Sequence, residues 1–213
     1  AIVVGSVSHT LAANVENGQL TGSADINLTG NSGNNVLCGN AGSNVLNGGA
    51  GTDTVLLDAP LSAWQFMRLS NGEVVMGPLD PSQGKADRLV GIETLQIMAT
   101  GELINLATLA MPTMLAYTAS LSAAEINALG IDENAAALHY ITTGQPQGRT
   151  VTFDALRYMA SHVDVPAVLG FSEHQAAWHY IQHGRFEGRT TDASLVLQIG
   201  GHGGITLHGQ PGA

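Results

Sequence analysis

The chain has 213 residues, and its 7 Lys and Arg against 17 Asp and Glu give a formal net charge of −10. This balance leaves no basic face for a phosphate backbone and would be repelled by an anionic membrane surface. It therefore argues against nucleic-acid binding and against membrane insertion, and no apolar stretch approaches the length of about 18 residues of a transmembrane helix. The single cysteine, Cys38, excludes an internal disulfide framework and a cysteine-based zinc site.

The first residues, 1–5, lack the charged and apolar regions of a secretory signal peptide. We expect the chain to be a mature piece or an excised domain of something longer. Its 27 glycines with only 5% aromatic residues are typical of a turn-rich, repetitive protein rather than of a large aromatic-walled catalytic pocket.

A nine-residue period runs through residues 28–56. Apolar residues hold one phase of it, namely Leu28, Leu37, Leu46 and Val55. Glycines hold two further phases, namely Gly30, Gly39, Gly48 and Gly33, Gly42, Gly51. The position two before the apolar residue is occupied by Asn35, Asn44 and Asp53.

This spacing has a direct physical interpretation. Glycine permits the positive φ of a sharp turn, and Asn or Asp can close the turn onto nearby backbone amides. Between the turns, each short strand buries one apolar side chain. The pattern therefore predicts a parallel β-roll or β-solenoid, which we place with its capping strands at residues 1–108.

The period resembles the RTX, or haemolysin-type calcium-binding, nonapeptide repeat G-G-x-G-x-D-x-U-x. The best match is residues 48–56, whereas the two preceding copies carry Asn31 and Asn40 at the second glycine. Upstream segments look like degenerate coils of the same kind, and residues 87–95 resemble the strand segment that caps such stacks. We interpret Asp87 and Glu93 in that segment as turn residues on a solvated face.

In the RTX family, turn aspartates and backbone carbonyls of stacked turns hold calcium between them. The resemblance therefore implies a calcium site at Asp53, stacked over Asn35 and assisted by carbonyls of the turns around Gly30 and Gly48. Calcium affinity grows with ligand charge, and Asp53 is the only carboxylate in the aligned turns, so a single weak site is expected. The alternative is that ladders of asparagine amides replace calcium outright.

From about residue 109 the glycine spacing gives way to helical signals, and residues 139–150 match residues 179–190 at an offset of 40. Capping boxes and C-terminal glycines predict helices at 113–119, 123–129, 133–143, 154–162, 165–169 and 173–183. The fold class is therefore mixed, with the β part followed by an all-α domain of two repeats at 109–192. A Gly-rich tail follows at 193–213.

His139 and His179 occupy the same repeat position near a helix C-terminus, where an imidazole can donate to free carbonyls. We interpret them as structural, because no Ser, Cys or carboxylate recurs with them as in a catalytic triad. Arg149 and Arg189 are expected to tie the following loop to backbone or to carboxylates such as Glu187. Two apolar pairs are expected to pack on the partner repeat: Leu138 with Ile141 and Trp178 with Ile181.

The phrase H-Y-I-x-x-G-x-x-x-G-R, which begins at His139 and His179, resembles a helical repeat of alphaproteobacterial surface-layer and other large RTX-type secreted proteins. Together the two resemblances imply secretion by a type I system and an extracellular or cell-surface location. Our hypothesis is a non-catalytic structural module of the surface-layer or matrix type, which self-associates or binds other surface proteins or a cell-surface polysaccharide. Two alternatives stay open: the C-terminal secretion region of a larger secreted enzyme or toxin, and a carbohydrate-binding adhesin.

Cys38 directly follows the inward Leu37, so its side chain is expected to point away from the core. An outward thiol predicts a reactive group that can cross-link two copies under oxidation. The alternative is a thiol covered by a neighbouring domain or subunit.

Overall fold

The computed structural model describes residues 1–190 and the backbone of two further strands, Val196–Ile199 and Ile205–His208, which pair antiparallel. The rest of the predicted tail at 193–213 lies outside the described residues. Two six-stranded sheets occupy the N-terminal half of the described chain and six α-helices lie in its C-terminal half, which confirms a mixed fold with α and β in separate parts. No helix in the described ranges is long and apolar enough to cross a membrane.

The strands of the N-terminal half, numbered in chain order, belong to two sheets. In spatial order the first sheet contains β1 (Ile2–Gly5), β3 (Asn17–Leu20), β5 (Val36–Cys38), β7 (Thr54–Leu57), β11 (Thr94–Ile97) and β12 (Leu103–Asn105). The second contains β2 (His9–Thr10), β4 (Leu28–Thr29), β6 (Val45–Asn47), β10 (Asp87–Val90), β9 (Val74–Pro78) and β8 (Trp64–Arg68). Strands β1 to β7 therefore alternate between the sheets, and every pair among them is parallel.

From β4 to β7, strands that pair within one sheet are two nine-residue coils apart in sequence. Leu37 lies opposite Val55 in the first sheet, and Leu28 lies opposite Leu46 in the second. All four side chains are at most 1% exposed, which confirms that they point inward. Fully burying a side chain of this size contributes roughly 1.5–3 kcal/mol, so the apolar phase of the repeat is the main source of packing between the sheets.

The stack ends in antiparallel strands. After β7 the chain forms the hairpin of β8 and β9, and then returns with β10 beside β6 and β11 beside β7, both parallel. Strands β9 and β12 pair antiparallel with β10 and β11. The segment 87–95 therefore adds one more coil to both sheets before they end.

The chain divides into two compact units, Ala1–Pro112 with Ala137–Arg149 and Thr113–Ala136 with Thr150–Ala213. Within the first unit, the side-chain amide of Gln65 donates to the carbonyl of Ile141 at 3.0 Å. A β-carbon at Gly77 would lie 2.7 Å from Cγ2 of Ile141, so glycine at this position permits the close approach. The sequence-based boundaries at 108 and 192 stay predictions.

The α-helices are α1 (Met114–Ala119), α2 (Ala123–Leu129), α3 (Glu133–His139), α4 (Ala155–Ser161), α5 (Asp164–Leu169) and α6 (Glu173–His179). All six were predicted from capping signals, and the reciprocal capping box of Ser122 and Glu125 is formed. The chain beyond α3 and α6 continues as π-helical turns, Tyr140–Gly144 and Tyr180–Gly184, which the sequence pattern did not predict.

One predicted packing face is wrong in part, because Leu138 and Trp178 are 52% and 37% exposed. The buried positions are four residues apart: Ala137 with Ile141 and Ala177 with Ile181. A π turn contains more residues than an α-helical turn, so residues four apart share a face where residues three apart do not.

Candidate calcium-binding turns

Three turns of the nine-residue repeat connect the two sheets. Residues 30–35 and 48–53 lead into the first sheet and are here called the first-sheet turns. Residues 39–44 lead into the second sheet and are called the second-sheet turn. Because the strands alternate, only turns of the same kind stack on each other.

The structure brings together all four residues that the sequence assigned to a calcium site. The backbone amide of Asn35 donates to Oδ1 of Asp53 at 2.7 Å, so Asp53 lies directly over Asn35. A β-carbon at Gly30 would clash with the carbonyl oxygen of Gly48, and one at Gly48 would clash with Oδ2 of Asp53. These two positions therefore require glycine, since any side chain would displace the stacked turn.

The first-sheet turn at 30–35 is closed by a side-chain amide. Nδ2 of Asn31 donates to the carbonyls of Ala12 and Val15 in the coil beneath, at 2.9 and 2.8 Å. Oδ1 of Asn35 accepts from the backbone amide of Asn31 at 2.7 Å. The backbone oxygens of the coil beneath this turn are therefore paired with a neutral amide, and the turn itself contains no carboxylate.

The second-sheet turn repeats this arrangement. Nδ2 of Asn40 donates to the carbonyls of Thr21 and Ala24, both at 3.1 Å, and Oδ1 of Asn44 accepts from the Asn40 amide at 2.9 Å. These two turns fit the alternative in which asparagine amides take the place of calcium.

The first-sheet turn at 48–53 has a different backbone. Gly49 has a φ of +95°, and its amide donates to Oδ1 of Asn47 rather than to Asp53. Oδ2 of Asp53 is consequently buried without a hydrogen-bond partner. A buried polar atom of this kind calls for an explanation such as an ion.

Gly49 also stands at the repeat position that asparagine occupies in the other two turns, so this turn has no side-chain amide there. Asn31 and Asn40 each donate to carbonyls 19 and 16 residues earlier, and the same steps from Gly49 lead to Gly30 and Gly33. The carbonyls of Gly30 and Gly33 therefore receive no amide from this position. Carbonyl and carboxylate oxygens are the ligands that calcium prefers, so the residues present fit a calcium ion.

The charges around Asp53 are consistent with a cation site. Burial raises the pKa of Asp53, the hydrogen bond from Asn35 lowers it, and the carboxylate of Glu93 raises it further. Glu93 lies one coil above, where it accepts the backbone amide of Asp53 at 2.8 Å. A buried carboxylate next to a second carboxylate is costly unless a cation neutralises it.

Sequence reasoning placed Asp87 on a solvated face, and this is wrong, because Asp87 is only 6% exposed. Asp87 and Glu93 each precede a buried leucine by two residues, Leu89 and Leu95, which is the spacing of the turn aspartate in the nonapeptide. That spacing could have identified both as turn carboxylates. Among the described residues, no three His, Cys, Asp or Glu side chains form a possible metal cluster, so a calcium ion at Asp53 would need backbone oxygens as further ligands.

His179, the repeat histidine of the second unit, contacts a buried tyrosine. Nδ1 of His179 lies 2.8 Å from the hydroxyl of the buried Tyr158, and burial lowers the pKa of His179. Arg189 pairs with Asp164 at 2.7 Å and with Glu187, as expected for a residue that ties the loop after the helix.

A family model of the RTX calcium-binding nonapeptide repeat, covering four copies, matches residues 27–59. The chain therefore contains RTX calcium-binding repeats. The matched residues include all three turns, both the two that asparagine closes and the one that contains Asp53. No curated protein and no solved structure matches the chain.

Proposed function

We propose that this chain is a non-catalytic, calcium-stabilised structural module of a secreted protein, and that its N-terminal half is a parallel β-roll. The observation that carries the proposal is Oδ2 of Asp53, a buried carboxylate oxygen without a partner in a turn of the RTX type. RTX repeats mark secreted proteins, which supports an extracellular or cell-surface location and export by a type I system.

The residues that would hold the ion are Asp53, through Oδ2, and the backbone carbonyls of Gly30, Gly33 and Gly48, with Asn35 beneath. Calcium would supply positive charge to the buried carboxylate and link two stacked turns. An ion that binds only the folded state stabilises it, by about 2.7 kcal/mol at a free concentration of 100 times the Kd.

A structural role is supported by how the polar side chains of the turns are used. Those of Asn31, Asn40 and Asn44 bond neighbouring coils to one another. The resemblance of the 40-residue repeats to surface-layer proteins supports a self-associating or matrix-type module.

The calcium proposal is tested by thermal unfolding followed by circular dichroism, in millimolar calcium and in EDTA. We expect calcium to raise the unfolding midpoint of the wild-type chain and of Glu102→Gln, which removes an exposed carboxylate. Asp53→Asn should show a smaller rise, because the amide cannot neutralise a cation. An unchanged calcium response in Asp53→Asn would overturn the assignment.

Self-association is tested separately, by size-exclusion chromatography of the full chain in the same two buffers. We expect larger species in calcium than in EDTA. A monomer under both conditions across the accessible concentration range would contradict the matrix-type role, whereas the calcium site would be unaffected.

A further inference from the structure

Asp87 repeats the geometry of Asp53 on the other set of turns. Its Oδ1 accepts the backbone amide of Asn44 at 2.8 Å, just as Oδ1 of Asp53 accepts the amide of Asn35 at 2.7 Å. Asp87 therefore stacks over the second-sheet turn as Asp53 stacks over the first-sheet turn at 30–35. It lies outside the residues matched by the repeat model, 27–59.

The second carboxylate oxygen of Asp87 faces the glycine turn beneath it. A β-carbon at Gly39 would lie 3.1 Å from Oδ2 of Asp87, so this oxygen reaches over the turn. The segment that carries Asp87 also lacks the asparagine that closes the turn at 39–44. Gln83 stands four residues before Asp87, as Asn40 stands four before Asn44.

Gln83 does not replace that asparagine. Its Nε2 lies 3.4 Å from Oδ2 of Asp80 and 3.5 Å from Oγ of Ser82, and its backbone amide donates to the carbonyl of Asp80 at 3.0 Å. The carbonyls of Gly39 and Gly42, which correspond in the stack to those of Gly30 and Gly33, therefore receive no amide from this residue.

The charges near Asp87 are mostly negative. Lys85 pairs with Asp25 at 2.8 Å rather than with Asp87. Burial raises the pKa of Asp87 to about 7, despite the hydrogen bond from Asn44. A cavity of about 510 Å³ adjoins the carboxylate, and Asp58, Asp80 and the ion-paired Lys85 also line it. The cavity has room for the water molecules that complete the shell of six to eight oxygens typical of calcium.

We propose that Asp87 holds a second calcium ion, together with the carbonyls of Gly39 and Gly42 and water in the adjoining cavity. The two ions would lie on opposite sets of turns. One would depend on the carboxylate of a nonapeptide, and the other on a carboxylate that the chain supplies after the hairpin of β8 and β9. The proposal goes beyond the site at Asp53 and does not require it.

Isothermal titration of the calcium-free full chain with calcium counts the ions. We expect two for the wild-type chain and for Glu102→Gln, one for Asp87→Asn, one for Asp53→Asn and none for the double variant. The amide in Asp87→Asn keeps an oxygen for the Asn44 amide, so the stack can form. A folded Asp87→Asn variant that binds as many ions as the wild-type chain would overturn the second site. If Asp53→Asn binds as many ions as the wild-type chain while Asp87→Asn binds fewer, the proposed function fails and the second site stands.

A second measurement is local to this cavity. Trp64 lines it together with Asp87, so terbium, an oxygen-seeking substitute for calcium, should give tryptophan-sensitised emission when bound there. We expect Trp64→Phe and Asp87→Asn to remove most of this emission and Asp53→Asn to retain it. If Asp87→Asn does not fold, comparison of the wild-type chain with Trp64→Phe still decides, since equal emission from the two would overturn the proposal.

Discussion

The backbone amide of Asn44 donates to Oδ1 of Asp87 although 43 residues separate them, whereas Asn35 and Asp53, joined in the same way, are 18 residues apart. The extra length between Asn44 and Asp87 contains the hairpin of β8 and β9. The hairpin is therefore inserted in the sequence between two stacked coils and lies at the end of the second sheet, beyond β10, where it does not alter this hydrogen bond. This tolerance follows from the repeat itself, because each coil is fixed by its contacts with adjacent coils.

The inward-pointing positions of the repeat predict where shortening a side chain destabilises the stack. Leu46 is completely buried, and Leu46→Ala should lower the free energy of unfolding by about 2–5 kcal/mol through lost burial and a residual cavity. Val45, its outward and half-buried neighbour on β6, provides the matched control, and Val45→Ala should cost clearly less. Urea unfolding followed by circular dichroism measures both. Equal losses would contradict the inward assignment of Leu46.

The amides of Asn31 and Asn35 predict which substitutions would convert the turn at 30–35 into a calcium site. Asn31→Gly removes the two hydrogen bonds that Nδ2 of Asn31 donates to the carbonyls of Ala12 and Val15, at a cost of roughly 1 kcal/mol each. It also removes the two that Oδ1 of Asn31 accepts, from the backbone amide of Gly33 and from Nδ2 of Asn35. Adding Asn35→Asp should create a cation site, so calcium should raise the unfolding midpoint more in the double variant than in the wild-type chain.

Asn35→Asp alone is the control for this conversion. The Asn31 amide still occupies the turn in that variant, so the calcium response should stay close to that of the wild-type chain. If the double variant gains no response over this control, the amides do not occupy the position of an ion.

The sequence predicted the parts of this fold that depend on local, repeated patterns, and it missed the parts that depend on contacts between residues distant in sequence. The period that contains Leu37 and Leu46 is local and repeated, so the inward residues and the stacking of Asp53 over Asn35 followed from counting. The burial of Asp87 did not follow, because it depends on a pairing across the hairpin that interrupts the period. The exposure of Trp178 was missed because the following π turn rotates the helix face, and the capping signals carry no information on that turn.

Cys38 shows the same limit, and it carries a prediction. The sequence predicted an outward, reactive thiol, but Cys38 is half-buried. Burial raises its pKa, as do the carboxylates of Asp58 and Asp87. Because the thiolate is the reactive form, we expect maleimide to label the native chain several-fold more slowly than the unfolded chain. Equal rates in buffer and in guanidinium chloride would show instead an open thiol of ordinary reactivity.

The contact between Gly184 and Tyr158 predicts a coupled pair in the second unit. A β-carbon at Gly184 would clash with the hydroxyl of Tyr158, which itself lies 2.8 Å from Nδ1 of His179. Gly184→Ala should therefore lower the free energy of unfolding by about 1–3 kcal/mol, the usual cost of overpacking. Tyr158→Phe removes the clashing oxygen together with its hydrogen bond to His179.

A double-mutant cycle separates these two effects. In the Tyr158→Phe background, Gly184→Ala should cost less than in the wild-type chain, because the nearest atom to the new methyl group is gone. The cycle is measured by urea unfolding, with the helical circular dichroism signal as the probe and the full chain as the sample. Strictly additive losses would show that the two residues do not contact each other, and that the glycine of this repeat is required for another reason, such as the geometry of the π turn it ends.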